Sequence, residues 1–406
     1  MCRCPNVSDK TPAKAPSEPP KANATAFESI ALLLQGGGAL GAYQAGVYEA
    51  LAERNIEPTW IAGISIGSIN SAIIAGNAAV DRVAKLREFW EGVTAGNSAW
   101  GNWADLFSGA NARGFFNQYF AGQALVGGVP GFFSPRFPPP PLQPNGTPAA
   151  TSWYDTGQLR TTLERLVDFD RINAKRMRFS VGAVNVRTGN FAYFDNAADT
   201  IRAEHIMASA ALPPAFPAVE IDGECYWDGG MISNTPLDWV MSAQSDLDTL
   251  VFQVDLWSAR GPLPRDLAEV VVRMKEVQYS SRTRAATDQF KQHQKLRAAF
   301  NELYAKLPAE LAATPQAQLL AKAADPAVYN IVQLIYRSPT YEGQSKDYEF
   351  SRKTMLDHWA AGYRDAKTTL SHPEVLTLPK DAVVVYDFVT PSNERHMPAK
   401  SAKKAL

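Results

Sequence analysis

The chain is 406 residues long, 46% apolar and 20% charged, with a formal net charge of −1. These figures describe an ordinary globular protein and exclude any general electrostatic attraction to nucleic acid or anionic membrane. No apolar run approaches the ~20 residues of a membrane-crossing helix.

Residues 1–26 are rich in Pro, Ala and Lys and lack the apolar core of a secretory signal, so they read as a disordered tail. Cys2 and Cys4 lie in that tail and Cys225 stands alone. No disulfide framework is expected from so few thiols, and the expected compartment is the reducing cytoplasm.

The first folded element is a buried strand, Ser29 to Leu34. It runs into Gln35-Gly36-Gly37-Gly38-Ala39-Leu40-Gly41, and a helix follows from Ala42 to Arg54. Three consecutive glycines leave bare amides at the strand's carboxyl end, which suits an anion or an oxyanion. Trp60 to Ile64 is a second short strand, and Ile66 opens a second helix. Between them, Gly63-Ile64-Ser65-Ile66-Gly67 has the GxSxG pattern of a nucleophile elbow. In such an elbow the serine sits on a strained turn and the flanking glycines admit close backbone. The helix then directs its free N–H groups at the serine oxygen. Ser65 follows Gly36 by 29 positions, one βαβ unit, so both turns emerge on one edge of a parallel sheet.

Ala79 to Trp90 continues as an amphipathic helix. From Trp100 to Thr151 aromatic residues crowd into a Gly- and Pro-rich stretch, among them Trp103, Phe107, Phe115, Phe116, Phe132, Phe133 and Phe137. We read it as an inserted aromatic lid or binding loop without regular structure, the alternative being a packed surface excursion. A helix is expected from Tyr154 to Val167, and a hairpin from Arg178–Val186 with Asn190–Phe194 that makes the sheet mixed at one edge. A short helix, Ala203 to Leu212, stops at Pro213-Pro214, and a strand follows at Val219 to Ile221. Cys225 to Asp228 ends in Asp228-Gly229-Gly230, and Leu250 to Leu256 is another buried strand. Beyond Trp257 the pattern is mostly helical. Leu263 to Leu307 reads as one or two charged helices, Ala309 to Lys322 and Phe350 to Leu370 as helices, and Tyr329 to Tyr336 as a strand. The Lys-rich end from Arg395 reads as disordered.

Taken together, GGGALG, GISIGS and the distant DGG resemble the patatin-like phospholipases, over roughly Ile30 to Trp239. That resemblance implies a three-layer αβα fold with a central, mainly parallel sheet, mixed at one edge, followed here by a largely helical carboxyl-terminal extension. The expected divisions are a tail over 1–26, a catalytic domain over 27–258 with an insertion at 100–151, an extension over 259–394 and a second tail over 395–406. The resemblance also implies a Ser–Asp dyad, Ser65 with Asp228, and a pocket segment carried by Ser209, Pro213, Phe216 and Pro217. Many members carry Arg or Lys inside the glycine loop where this chain has Leu40. Its absence makes ester hydrolysis a firmer expectation than phospholipid specificity.

For acyl transfer the serine needs a base and the carbonyl oxygen needs donors. The oxyanion hole is expected from the glycine loop Gly36, Gly37, Gly38 and Gly41, foremost the Gly37 and Gly38 amides, with the Ile66 amide in support. Of the five histidines, His205 precedes Asp228 and, apart from His372, none follows a strand in the late loop that a Ser–Asp–His triad requires; the resemblance assigns the role of base to Asp228. Gly229 and Gly230 complete its turn. Leu40, Pro213, Phe216, Phe115 and Phe116 are expected around the pocket. No metal or organic cofactor is expected. The expected partner is a lipid or other apolar ester met at a membrane or lipid surface, with hydroxyacid polyesters as an alternative substrate and a non-catalytic lipid-binding protein as an alternative function. Gly36-x-Gly38-x-x-Gly41 also satisfies a dinucleotide-binding pattern, but the second strand closes on Ser65 where that pattern wants an acid for the ribose.

Overall fold

The computed structural model describes residues 25–97, 110–243 and 247–389. The terminal tails, Cys2, Cys4, Trp100, Trp103 and Phe107 therefore lie outside the described residues. At the centre of the molecule is a nine-stranded sheet. Strand β1 (Ser29–Leu34) pairs in parallel with β2 (Trp60–Gly63) on one side, and two short strands, β3 (Ser134–Pro135) and β4 (Tyr154–Asp155), form a separate ladder. Beyond β2 lies β5 (Arg178–Asn185), again parallel, with β6 (Phe191–Asp195) antiparallel to it as the expected hairpin. Strands β7 (Val219–Ile221) and β8 (Glu224–Asp228) pair antiparallel with each other. On the other side of β1 come β9 (Thr249–Asp255), β10 (Tyr329–Ile335) and β11 (Val383–Tyr386), all parallel.

Alternation along β1 divides the core into two faces, as the two-residue period of a strand requires. Ile30, Leu32 and Leu34 pack with α1 (Ala42–Glu53), α2 (Ile66–Ala75) and α3 (Arg82–Val93). Ala31 and Leu33 pack on the opposite face with Leu237, Val240, Met241 and Phe290. Helices on both faces make the three layers.

The register of β5 places the acid. Val181 is the last β5 residue paired with β2, and Ala183 is paired with Asp228 of β8. Meanwhile β6 pairs with Ser180 to Val184. A strand has only two edges, so β6 occupies one while β2 and β8 follow each other along the second. Asp228 therefore arrives just past the end of β2, where Ser65 stands.

The structure differs from expectation in the aromatic stretch. It contains an 18-residue helix, α4 (Ala110–Gly127). Gly114, Gly122 and Gly127 lower its intrinsic propensity and hide it from local reading. Burial of Asn117, Phe120, Ala121 and Ala124 holds it in place. The next helix, α5 (Gly157–Leu166), starts three residues later than expected because Tyr154 and Asp155 are spent in the β3–β4 ladder. After α6 (Phe169–Asn173), α7 (Ala203–Ser209) and α8 (Leu237–Ala243) comes one unbroken 38-residue helix, α9 (Leu267–Tyr304), capped by Asp266 accepting from the Glu269 amide. The helix expected over Ala309 to Lys322 is split into α10 (Ala309–Ala312) and α11 (Pro315–Ala323), because Pro315 opens the second piece. The last helix, α12 (Arg352–Thr369), crosses α1 at paired glycines: a Cβ on Gly46 would lie 2.0 Å from the Trp359 carbonyl, and one on Gly362 2.0 Å from that of Tyr43. Through β10, β11 and α12 the region after Trp257 builds into the same sheet and the same core.

Candidate active site

Ser65 stands between β2 and α2 in a left-handed backbone conformation, φ 54°, that side chains other than glycine rarely adopt. Its neighbours explain how the turn closes. A Cβ on Gly63 would come within 2.3 Å of the Gly67 carbonyl, and one on Gly67 within 2.2 Å of the Leu34 carbonyl. Only glycine at both positions lets β1, β2 and α2 meet so closely. The Ser65 amide donates to Ser209 Oγ at 3.2 Å, which ties the turn to the end of α7.

Asp228 is 1% exposed. Its Oδ1 accepts from the Gly230 amide at 2.7 Å, and the Ser65 hydroxyl also acts on the carboxylate. Burial dominates and raises its pKa to about 7, while the Ser65 and Gly230 interactions hold it down. Gly229 lies against β5, where a Cβ would meet the Gly182 carbonyl at 2.6 Å.

Gly37, Gly38 and Ile66 line the cavity, and in each case the trans peptide plane turns the N–H away from the partners of the preceding carbonyl. The Gly36 carbonyl accepts from Asn234 Nδ2 and from Trp257 Nε1, both at 2.9 Å, so the Gly37 N–H on the opposite side of that plane is turned away from them. The Gly37 carbonyl accepts from the Leu40 amide at 3.2 Å, which directs the Gly38 N–H. The Ser65 carbonyl accepts from the Ser68 amide at 2.9 Å and from Ser68 Oγ at 2.6 Å, which leaves the Ile66 N–H at the start of α2. Among the described residues these three amides have no hydrogen-bond partner, and Gly37, Gly38 and Ile66 all line the cavity.

Two glycines expected in the oxyanion hole do not offer an amide there. The Gly36 N–H is donated to the Asn234 carbonyl at 3.3 Å. Gly41 is absent from the cavity lining; it abuts Ile66 and Trp90, and its carbonyl accepts from Asn70 Nδ2 at 3.0 Å.

The cavity, about 230 Å³, has Ser65, Asp228 and the glycine loop at one end and Leu125, Phe132, Phe133, Tyr154, Phe216 and Phe350 along its walls. Phe216 is among these walls, whereas the other residues expected around the pocket are not in its lining. Leu40 is fully buried in the core, because the turn that follows Gly38 folds it under the loop. Pro213 is replaced in the lining by its neighbours Leu212 and Ala215. Phe115 is 69% exposed on the outer side of α4, and Phe116 is also absent from the lining. Leu125, nearly three turns further along α4, reaches the cavity in their place. None of the lining residues is a histidine.

Several residues escaped the sequence reading. Trp257, Tyr279, Asp347, Tyr348 and Phe350 line the cavity from the carboxyl-terminal region, and no local motif marks them. Asn234, Gln35, Gln44 and Asn70 form a buried polar frame beneath the loop. Gln35 Oε1 accepts from the Leu256 and Trp257 amides at 2.6 and 3.0 Å, Gln44 Nε2 donates to the Gln35 carbonyl at 2.7 Å, and Asn70 Nδ2 donates to Gln44 Oε1 at 2.9 Å. A usable signal existed for two of them: Gln44 and Asn70 are the single carboxamides on the two helices that start at the motif loops.

The fold and the site together define a three-layer αβα protein of mixed-edge sheet, with a strained serine, a buried acid and unpaired amides at one sheet edge. The chain belongs to the patatin-like phospholipase family, whose pattern matches residues 32–241, more than half of it. A second pattern, described as patatin phospholipase, matches residues 277–382 and so covers most of the carboxyl-terminal extension. Family membership supports lipid acyl hydrolysis as the general activity. Among solved structures, that of VipD from Legionella pneumophila is similar at 15% identity and a TM-score of 0.36, covering 86% of this chain and 67% of that one. No match was found among curated proteins. Among the described residues no helix is long and apolar enough to cross a membrane.

Proposed function

We propose that the protein is a serine hydrolase of lipid carboxylic esters working through a Ser65–Asp228 dyad and an acyl-enzyme. The observation that carries this reading is the pairing of Ser65, on its strained turn, with a fully buried carboxylate whose pKa is raised to about 7. An ordinary carboxylate is too weak a base for a serine hydroxyl, and desolvation raises its proton affinity toward working pH.

In the first step Ser65 Oγ attacks the ester carbonyl and its proton passes to Asp228. The oxyanion that forms is received by the Gly37, Gly38 and Ile66 amides. Collapse of the tetrahedral intermediate breaks the C–O bond, and Asp228 returns the proton to the departing alcohol. Asp228 then removes a proton from water as it attacks the acyl-enzyme, and collapse of the second tetrahedral intermediate releases the acid while Asp228 returns that proton to Ser65 Oγ. The aromatic walls receive the acyl chain, so the stretch from Leu125 to Phe133 acts as the acyl gate. Exposed apolar side chains next in sequence to lining residues, Val126 beside Leu125 at 81% and Trp153 beside Tyr154 at 50%, favour a substrate presented at a lipid surface. The catalytic unit on this reading extends through residue 389 rather than ending at 258, because four lining residues, Tyr279, Asp347, Tyr348 and Phe350, come from beyond that point.

The test is covalent labelling by a fluorophosphonate, followed by mapping of the modified residue and by assay of a panel of esters. Labelling of Ser65, lost in Ser65→Ala together with hydrolysis, is the expected result. Labelling at another residue, or hydrolysis that survives Ser65→Ala, overturns the reading.

A further inference from the structure

The glycine loop is the most permissive backbone in the site, yet an oxyanion donor has to be fixed before the reaction begins. Its fixation comes in large part from residues more than 230 positions away. The Ala39 amide donates to the Asp347 carbonyl at 2.8 Å, and the Ala39 carbonyl lies 3.4 Å from His358 Nδ1. The Asp347 carbonyl also fills the space where a side chain on Gly38 would be, 2.0 Å from the ideal Cβ position, while Gly38 holds φ +55°. Ala39, directly after Gly38, is thus held at both its amide and its carbonyl.

Asp347 is in turn held by α9. Lys275 Nζ lies 2.9 Å from each Asp347 carboxylate oxygen and 3.3 Å from the Gln344 carbonyl. One residue along on both partners the charges are reversed: Lys346 Nζ lies 2.8 Å from Glu276 Oε1 and 2.9 Å from Ser338 Oγ. The Lys275 and Asp347 side chains are only 26% and 21% exposed, and those of Lys346 and Glu276 3% and 14%. A pair of reciprocal bridges at this depth fixes a loop in register in a way that a single exposed pair does not.

We propose that the carboxyl-terminal region is a working part of the oxyanion hole. Lys275 and Asp347 act as positioning residues that clamp the Asp347 carbonyl onto Gly38 and Ala39 and so hold the Gly38 amide where the oxyanion forms. The proposal rests on the serine-hydrolase reading above. A clamp of this kind acts on the transition state, whereas a purely structural bridge changes only how much protein is folded.

The experiment uses the full chain and a short, soluble p-nitrophenyl ester. Lys275→Met is expected to lower kcat by about tenfold with KM within twofold, and to slow fluorophosphonate labelling of Ser65 by the same factor. Lys275→Arg, which keeps the charge and both hydrogen bonds, should recover kcat to within about threefold of the parent. Asp347→Asn, nearly isosteric, should match Lys275→Met, and the double variant should be no slower than either single one. Asp347→Asn decides the matter if Lys275→Met fails to fold. Unchanged kcat in the folded variants, equal loss in Lys275→Met and Lys275→Arg, or a loss accounted for by the folded fraction in a thermal melt overturns the clamp. Ser65→Ala is assayed alongside. If that variant keeps its activity, it is the serine reading that fails, whereas an inert Ser65→Ala beside a fully active Lys275→Met removes the clamp alone.

Discussion

The elbow around Ser65 and the glycine loop around Gly38 look alike in sequence, and the structure holds them by opposite means. The elbow's close contacts, Gly63 on Gly67 and Gly67 on Leu34, fall inside one βαβ unit. The glycine loop is set by Asn234, Trp257 and Asp347, each about 200 positions or more away. The elbow's strain is held mainly by its own turn, with Ser209 Oγ on the Ser65 amide as a long-range tie. An oxyanion hole has to be aimed across the cavity at another element, and distant parts of the fold do the aiming.

The largest effects should come from the elbow and its base. Ser65→Ala and Asp228→Asn should each lower kcat by on the order of ten-thousandfold, and the double variant should be no worse, since members of one catalytic unit are not additive. Steady-state assays of the three variants on one ester check this. Near-parent turnover in Asp228→Asn would break the comparison by bringing back a histidine base.

Gly38→Ala comes next. It meets both a left-handed φ and the Asp347 carbonyl, so either the loop or the 340–350 segment has to move. A loss of about a hundredfold in kcat is expected with a smaller change in KM, the mark of a misplaced donor. A variant that raised KM at unchanged kcat would make the loop a packing device.

Trp257→Phe should be milder. It removes one of two hydrogen bonds on the Gly36 carbonyl and keeps the ring in the cavity wall. A fall in kcat of roughly three- to tenfold is expected, from a single lost orienting bond of about 1 kcal/mol. Equal kcat with a changed chain-length preference would assign Trp257 to the pocket alone.

A different effect is on stability, and it separates base from scaffold. Burial raises the Asp228 pKa from 3.8 to about 7, so the folded state keeps a proton that the unfolded chain has released between those values. Stability attributable to Asp228 is therefore highest below pH 4 and falls as pH rises to about 7. Asn does not titrate, so Asp228→Asn should be more stable than the parent above pH 7, by about 4 kcal/mol, and the gain should vanish near pH 4. Thermal melts of both proteins across that range give the answer. Asp255, also buried and raised to about 7, contributes the same trend to both proteins and cancels in the difference.

The same division governs what could be read without the structure. The strand–Gly-loop–helix and strand–serine–helix turns were legible because apolar runs, glycines and helix starts lie within a few residues of one another. Asp228 was legible only through its DGG turn and its place in an ordered set of motifs; its burial, which makes it basic, depends on β8 joining β5 past the end of β2. Helix α4 was hidden by its glycines, and Phe115 and Phe116 were placed at the pocket because aromatic content carries no information about which side of a helix faces in. Asn234, Trp257 and Asp347 stayed invisible for the reason that makes them matter: their contacts with the loop are entirely long-range.

The central claim is that a buried Asp228 activates Ser65, and the pH dependence of fluorophosphonate labelling tests it most directly, since labelling reports nucleophile activation without deacylation or product release. The predicted result is labelling confined to Ser65, with a rate that falls about tenfold per pH unit below an apparent pKa near 7 and is at least a hundredfold slower in Asp228→Asn. A rate that is flat from pH 5 to 8, or one that Asp228→Asn leaves unchanged, would contradict it.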